Sequence, residues 1–299
     1  MKFLPKDKTA LLVVLVGMGM LIWWWWYPVI RVFILGFKQA GLMYLEETWL
    51  GLDHFKELAS AKIFRKVITN TLYYALLTVP AQMVLGLLIS MSIDKIKNKA
   101  FRRTSVLSFY APYVLPIVAV GIVWKFLYHP SGFGMFNFLL GKIGLKGLAW
   151  LQDYRTALPA IAIMVVWKRV GYVIILYLAG LQAIPKVYYE AAEIDGANVW
   201  CKFRSITLPL LSSTTLFVIV TSTINAFLMF EPTYIMTLTE SAGRGGPNNA
   251  TNVMMYYVYS NAFGNDRLGY ASAAATILFL MVLGVTFLQF RFIRTRFEY

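Results

Sequence analysis

The chain has 299 residues, of which 59% are hydrophobic and only 14% charged, and its net charge is +14. A soluble domain carries about 25% charged residues, so the composition excludes an ordinary soluble fold and points to a polytopic membrane protein. The basic excess sits in short segments between apolar runs, as loop charges of a membrane protein do, which argues against a nucleic-acid surface.

"MKFLPKDK" opens the chain and a long apolar run follows, with no small-residue cleavage site, so the run reads as an uncleaved first span. A bilayer core about 30 Å thick needs roughly 20 apolar helical residues. Six such runs occur: Ala10–Val32, Val67–Ile93, Val106–Leu127, Ala157–Leu181, Leu210–Met236 and Gly269–Phe290. The expected fold is therefore all-α, with six transmembrane helices. In the first run, Trp23–Trp26 could offer a stacking platform for a sugar ring. Four consecutive residues cover every face of a helix, however, and an interfacial aromatic belt is the simpler reading, with Pro28 bending the end of the span. Between the first two runs, Gly51–Thr71 has Leu52, Phe55, Leu58, Ala59 and Ile63 at helical spacing and predicts a short helix along the membrane surface. "DKIKNKAFRR" (Asp94–Arg103) then carries five basic residues and one acid.

With both termini cytoplasmic, the inside segments 1–9, 94–104, 183–209 and 291–299 hold 14 Lys/Arg in 56 residues. The outside segments 31–66, 125–155 and 236–269 hold 12 in 101. The twofold contrast in density follows the positive-inside rule and fixes that orientation as the expectation. Cys201 is the single cysteine, so neither an intrachain disulfide nor a cysteine metal cluster is expected. His54 and His129 are far apart, and no metal site or catalytic group is expected.

The fourth run carries Lys168 and Arg169, with Tyr172 three residues beyond Arg169 on the same helical face. The fifth carries Ser222 and Asn225, again three apart, then Met229 and Glu231-Pro232. Polar groups within spans are costly and mark either a solute path or interhelical hydrogen bonds. Lys168 directly follows a Trp and fits a structural role. A desolvated guanidinium at Arg169 would favour a carboxylate or phosphate.

Between these two runs lies "YYEAAEIDGANVWCKFRSITLP" (Tyr188–Pro209), a compact amphipathic passage in an apolar chain. Pro185 suits a first helical turn, Gly196 suits a left-handed helix end, and Asn198 suits the cap of a second helix. Trp200 and Phe203 share a face of that second helix, which Thr207-Leu208-Pro209 is expected to end. A surface-lying loop without a partner would look similar. An anionic Glu190 beside small alanines docks better in a basic protein cleft than on anionic lipid.

Glu190, Ala191, Ala192, Gly196 and the Ile206–Pro209 ending resemble the EAA loop of ABC importer permeases. "LAGLQAIP" (Leu178–Pro185) and Asp195-Gly196-Ala197 resemble the carbohydrate-uptake branch, the maltose and glycerol-3-phosphate type permeases. "NTLYYALLTVPAQMVLGLLIS", the "FRR" after it and "GGPNNATNVMMYYVYSNAFGNDRLGYASAAA" extend the likeness over most of residues 50–293. One departure is that the family usually has a Thr close to Gly-Gly-Pro, whereas "ESAGRGG" here intervenes after Thr239.

The resemblance implies a type I ABC importer permease fold, a single transmembrane domain over 1–299 with its core at about 67–293 and its coupling loop at 185–209. It implies residence in a bacterial cytoplasmic (inner) membrane. The implied partners are a second homologous permease, two ATPase subunits and an extracytoplasmic sugar-binding protein. Glu190, Ala191, Ala192, Asp195, Gly196 and Ala197 would couple to the ATPase. The implied substrate, a sugar or oligosaccharide, would pass Arg169, Tyr172, Ser222, Asn225 and Met229. The chain itself would bind no cofactor, with ATP and Mg held on the ATPase subunits. It also has no Walker A motif: "GMFNFLLGKI" (Gly134–Ile143) has six residues between its glycines and Ile after the Lys. The alternative is a secondary transporter of small polar solutes. Against that, the spans hold no paired carboxylates and the chain shows no internal repeat. An integral-membrane enzyme would need a constellation of His, Asp, Glu or Cys at the membrane face, which two isolated histidines do not make.

Overall fold

The computed structural model describes residues 8–43, 46–237 and 245–292. Thr239, residues 240–244 of the inserted stretch and the outermost residues of both tails lie outside the described residues. The chain forms two compact units, Met1–Ala61 with Val258–Phe279, and Lys62–Tyr257 with Leu280–Tyr299.

The first unit begins with α1 (Lys8–Leu21), a π-helical turn (Ile22–Trp26) and α2 (Tyr27–Leu35). The helix runs through Pro28 to Leu35, because the wide turn just before it absorbs the missing proline N–H. Trp23 to Trp26 are all exposed, as an aromatic belt requires. A two-residue antiparallel pair follows, β1 (Lys38–Gln39) with β2 (Thr48–Trp49), then α3 (Asp53–Ser60). The expected short helix forms only over Asp53–Ser60, because the chain is extended at Ala61 and Ile63 already belongs to the helix that starts at Lys62; it buries Leu58 and His54. His54 Nε2 lies 3.2 Å from the Lys38 carbonyl, a structural use of the imidazole. Gly269, at the start of α15 (Leu268–Phe292), approaches that same carbonyl so closely that a Cβ would collide with it. Arg267 bonds Glu57 at 2.6 Å and lies over the Tyr270 ring.

The second unit is built on α4 (Lys62–Asp94) and α8 (Ala157–Ala183). Small residues let the helices meet, as they do in lipid where packing rather than hydrophobicity drives association. Gly86 of α4 faces Val173, and Gly171 of α8 lies against the Phe109 carbonyl of α5 (Lys99–Val114). Val173, Tyr177, Leu181, Leu211 and Val218 form one buried cluster, and Ile93, Val170, Ile174 and Leu178 another. Asn98 caps α5, its Oδ1 accepting from Ala100 N and Phe101 N. Asn70 donates to the Asn249 and Asn252 carbonyls, and Thr71 Oγ1 accepts from Met254 N at the head of α14 (Met254–Tyr259). The strand of residues they hold, Gly245, Gly246, Asn248 and Asn249, has positive φ, which glycine and asparagine tolerate.

Of the six runs expected to span, four are continuous helices long and apolar enough to cross a membrane: Thr9–Leu35, Lys62–Asp94, Ala157–Ala183 and Leu268–Phe292. The other two are bent pairs. α5 and α6 (Ile117–Leu127) meet at 95°, because Pro116 holds Leu115 in extended backbone. In the second pair, a helix over Val199–Leu210 turns by 66° at Leu211 into α12 (Ser212–Phe227). Beyond α12 the short α13 (Glu231–Thr237) starts at the Glu-Pro pair, so the run read as Leu210–Met236 is not one straight helix.

Gly171→Ala should disrupt the α5–α8 contact, since its methyl would strike the Phe109 carbonyl and lie 2.9 Å from Tyr110 Cα. Overpacking of this kind costs about 1–3 kcal/mol. The expected result is a lowered midpoint in thermal unfolding followed by size-exclusion fluorescence. Gly284→Ala, with nothing within 4 Å, is the control that should leave it unchanged.

Candidate functional site

Two sites emerge: the α8–α12 connection itself, and a cavity lined by residues of those two helices and their neighbours. The first is the passage after α8. α9 (Lys186–Ile194) starts after Pro185 and ends in a Schellman turn. Gly196 N donates to Glu193 O at 3.1 Å and Ala197 N to Ala192 O at 2.8 Å, with Gly196 at φ +74°. Asn198 Oδ1 then accepts from Cys201 N and caps α10 (Val199–Lys202). A π-helical turn (Phe203–Thr207) and α11 (Leu208–Leu210) continue the same helix. Pro209 was expected to mark the end of this helix and the start of the fifth span. It lies inside the helix instead, because the preceding wide turn accommodates it, and α12 starts at Ser212. The glycine elbow between two short helices stands as expected, and Trp200 and Phe203 do share a face, 5.6 Å between ring centroids.

The elbow is braced from within. Lys202 Nζ bonds Glu193 Oε1 at 2.8 Å across it, and the Tyr189 and Thr207 hydroxyls are 3.0 Å apart. Tyr189, Ile206 and Leu210 pack on the buried cluster of α8 and Leu211. The outward stripe of α9 is different. Val187 and Ile194 are exposed, with Ala191 between them. Beside them Glu190 is exposed and makes no hydrogen bond or ion pair among the described residues. Of the two glutamates of the motif, one is therefore spent on the fold and the other is bare. Ala192 is half-buried on the elbow side, while Asp195 is the exposed C-cap and Ala197 the half-buried second partner of the turn.

The second site is a cavity of about 480 Å³ within the membrane-spanning part of the second unit. Tyr74, Tyr113, Lys168, Arg169, Asn225, Met229 and Glu231 line it. Three of the five residues expected on the solute path, Arg169, Asn225 and Met229, thus come together. Tyr172 sits behind the wall, stacked on Tyr113 at 5.2 Å and 16°. Ser222 is buried in the packing and does not line the cavity. Asn225 Nδ2 donates to its own helix, at Thr221 O.

The bend between α5 and α6 explains the two adjacent cations. A helix that breaks leaves carbonyls without partners, and in a membrane these must be satisfied internally. Lys168 Nζ donates to Pro112 O (3.3 Å), Tyr113 O (2.9 Å) and Leu115 O (2.8 Å). All three ammonium N–H groups are thereby used. Arg169 makes no hydrogen bond or ion pair among the described residues, and neither does Glu231. The cavity therefore presents one free guanidinium, one free carboxylate and two tyrosine rings. Tyr74 and Tyr113 went unread in the sequence. The signal for Tyr113 was its place between Pro112 and Pro116, since broken membrane helices mark binding sites.

Among the described residues no group of three or more His, Cys, Asp or Glu is arranged to hold a metal. The Gly134–Ile143 stretch is the helix α7 (Met135–Lys142) and not a loop.

Residues 82–297 match the model of the family described as "Binding-protein-dependent transport system inner membrane component". A probable ABC transporter permease protein, YurN, of Bacillus subtilis is 34% identical over 255 residues, covering 84% of each chain. The sn-glycerol-3-phosphate transport system permease protein UgpA of Agrobacterium fabrum is 34% identical over 258 residues, 85% of this chain and 84% of that one. The sulfoquinovosyl glycerol transport system permease protein SmoG of the same organism is 31% identical, over 90% of this chain and 85% of its own. In fold, the chain superposes on a chain of a bacterial ABC transporter involved in the import of the acidic polysaccharide alginate, with a TM-score of 0.81, 24% identity and 97% of each chain covered.

Proposed function

The chain belongs to the family of binding-protein-dependent transport system inner membrane components, and from that premise we propose how its two sites divide the work. It is a permease subunit of a carbohydrate-uptake ABC importer, a multi-pass protein of the inner membrane. In the proposed arrangement both termini are cytoplasmic and the whole chain acts as one transmembrane domain. A second homologous permease supplies the other half of the path. Two ATPase subunits, which hold the ATP and Mg, dock on the 185–209 passage, and an extracytoplasmic binding protein delivers the sugar. The chain catalyses no covalent step of its own.

The observation that carries the proposal is the contrast at the elbow: Glu193 is tied to Lys202, while Glu190 is bare beside the exposed Val187 and Ile194. A rigid, braced turn presenting one carboxylate on an apolar stripe suits a cleft with a basic residue, and ATP-driven closure of that cleft would reach the membrane helices through it.

The cavity supports a reading of the solute. Relatives are named for sn-glycerol-3-phosphate and sulfoquinovosyl glycerol, solutes with a phosphate and a sulfonate. A guanidinium grips such groups bidentately, and Arg169 is the cation in the cavity without another task. We therefore assign an acidic or phosphorylated sugar as the preferred substrate, with Glu231 and Asn225 facing its hydroxyls.

Purified with its partner permease and ATPase and reconstituted in proteoliposomes, the chain should support uptake that needs both ATP and the loaded binding protein. Uptake that persists without ATPase and follows an ion gradient would replace this reading with a secondary transporter.

A further inference from the structure

Between α6 and α8, at the end of the helices opposite the coupling passage, lies a segment that inverts the pattern of a water-soluble loop. Its centre is α7. The inward face carries the one polar residue in the interior of that helix. Asn137 Nδ2 donates to the carbonyls of His129, Pro130 and Leu148, and its Oδ1 accepts from Leu148 N and Trp150 Nε1. Phe136, its neighbour, packs on Trp124, Tyr128 and Trp150. Tyr128 in turn donates to the Ala160 carbonyl of α8. The segment is therefore pinned at the level where the membrane helices end.

The outward face is apolar. Met135 and Phe138 are more than half exposed, and Phe133, at the tip of the turn before α7, is 98% exposed. Ile143, one residue past the helix, is 70% exposed. These side chains continue the exposed apolar face of α6, where Ile122 and Phe126 stand open. A surface like this in water would be an association hazard.

Charge decides what covers it. No Asp or Glu occurs between residues 95 and 152, whereas Lys142 and Lys146 do. Lys142 Nζ lies 4.8 Å from the centre of the Phe138 ring, so its stem runs along the apolar face and its ammonium stands at the edge. That is the snorkelling arrangement of interfacial helices, with rings among acyl chains and ammonium groups at the headgroups. Protein interfaces, by contrast, are depleted in lysine at their cores.

We propose that residues 131–146 lie in the headgroup–acyl boundary of the leaflet opposite the coupling passage. Phe133, Met135 and Phe138 enter the lipid, and Lys142 and Lys146 meet lipid phosphates. The segment anchors the α6–α8 connection to the bilayer surface.

The test uses the full-length chain in complex with its partner permease and ATPase, in phosphatidylcholine nanodiscs with and without phosphatidylglycerol. In a Cys201→Ser background, a nitroxide is attached at Phe133→Cys or at Phe138→Cys, and collision with oxygen and with a nickel chelate is measured by power saturation. The proposal expects oxygen collision to exceed nickel collision several-fold at both sites. It also expects the label at 138 to move toward water when Lys142 and Lys146 are both changed to Glu, more so with phosphatidylglycerol present. Dominant nickel collision would place the face in water and overturn the proposal. Exclusion of both reagents would mean that a protein surface covers it, and would overturn it equally. Phe133 touches little of the protein, so its replacement reports even if Phe138→Cys disturbs the fold.

Discussion

A permease carrying Glu190→Lys together with Gly196→Pro should lose its ATPase subunits on purification while the permease pair survives. The two changes act on separate links of one argument. Glu190 has no partner within the described chain, so reversing its charge leaves the permease fold intact and removes the anion offered to the cleft. Truncating one side of a buried charge pair at an interface costs about 2–5 kcal/mol, which is roughly 30-fold or more in affinity. Gly196 acts through shape. Its φ of +74° lies outside what proline's ring allows, so proline there breaks the turn that sets the angle of α9. Measured singly, Glu190→Lys should weaken ATPase retention without altering the thermal stability of the permease, while Gly196→Pro should lower both. Glu193→Gln is the informative control: it loosens the Lys202 brace but leaves the presented carboxylate, so retention should fall far less. Equal retention by wild type and double variant would remove the docking role from this passage.

Arg169→Ala should abolish most uptake of acidic sugars and spare neutral ones to a much greater degree. A hydrogen bond to a charged group contributes about 1.5–3 kcal/mol, so the expected loss for the acidic substrate is roughly 10- to 100-fold. Lys168→Met separates the two neighbouring cations. It strips the donors from the carbonyls of Pro112, Tyr113 and Leu115, and the expected outcome is poor assembly for every substrate alike. Uptake by Arg169→Ala of matched acidic and neutral sugars is the deciding measurement, and equal loss of both would end the charge argument.

The contrast between these two residues shows what a sequence can carry. Length and hydropathy place spans because a bilayer demands about 20 apolar residues whatever they pack against. Caps and elbows are also local, and Asn198, Gly196 and Pro185 can be read where they stand. The 95° bend at Leu115–Pro116 is not visible in hydropathy, since apolar character continues across it. Its consequence is further still from local reading: Lys168 answers carbonyls more than 50 positions away. Once that pairing is known, Arg169 is left as the cation of the cavity with no hydrogen bond among the described residues. Ser222 failed in the opposite sense. Its spacing from Asn225 was right for one helical face, but Ser222 itself is buried in the packing while Asn225 lines the cavity. Asn137, which orders a whole loop, carried no signal beyond being polar in an apolar stretch.

The bend at Leu211 has a mechanical meaning. The helix over Val199–Leu210 and α12 form two rigid arms meeting at 66°, which is a bell crank. At 1.5 Å per residue the arm leading from the elbow is about 18 Å long and the arm reaching the cavity about 24 Å. If the two arms turn together about Leu211, which is buried in the cluster with α8, the far end of α12 would move by about 1.3 times the displacement of the elbow. Asn225 rides near that end, with Met229 just past it, so under the proposed coupling role a stroke delivered at Gly196 would arrive at the cavity slightly magnified and turned in direction.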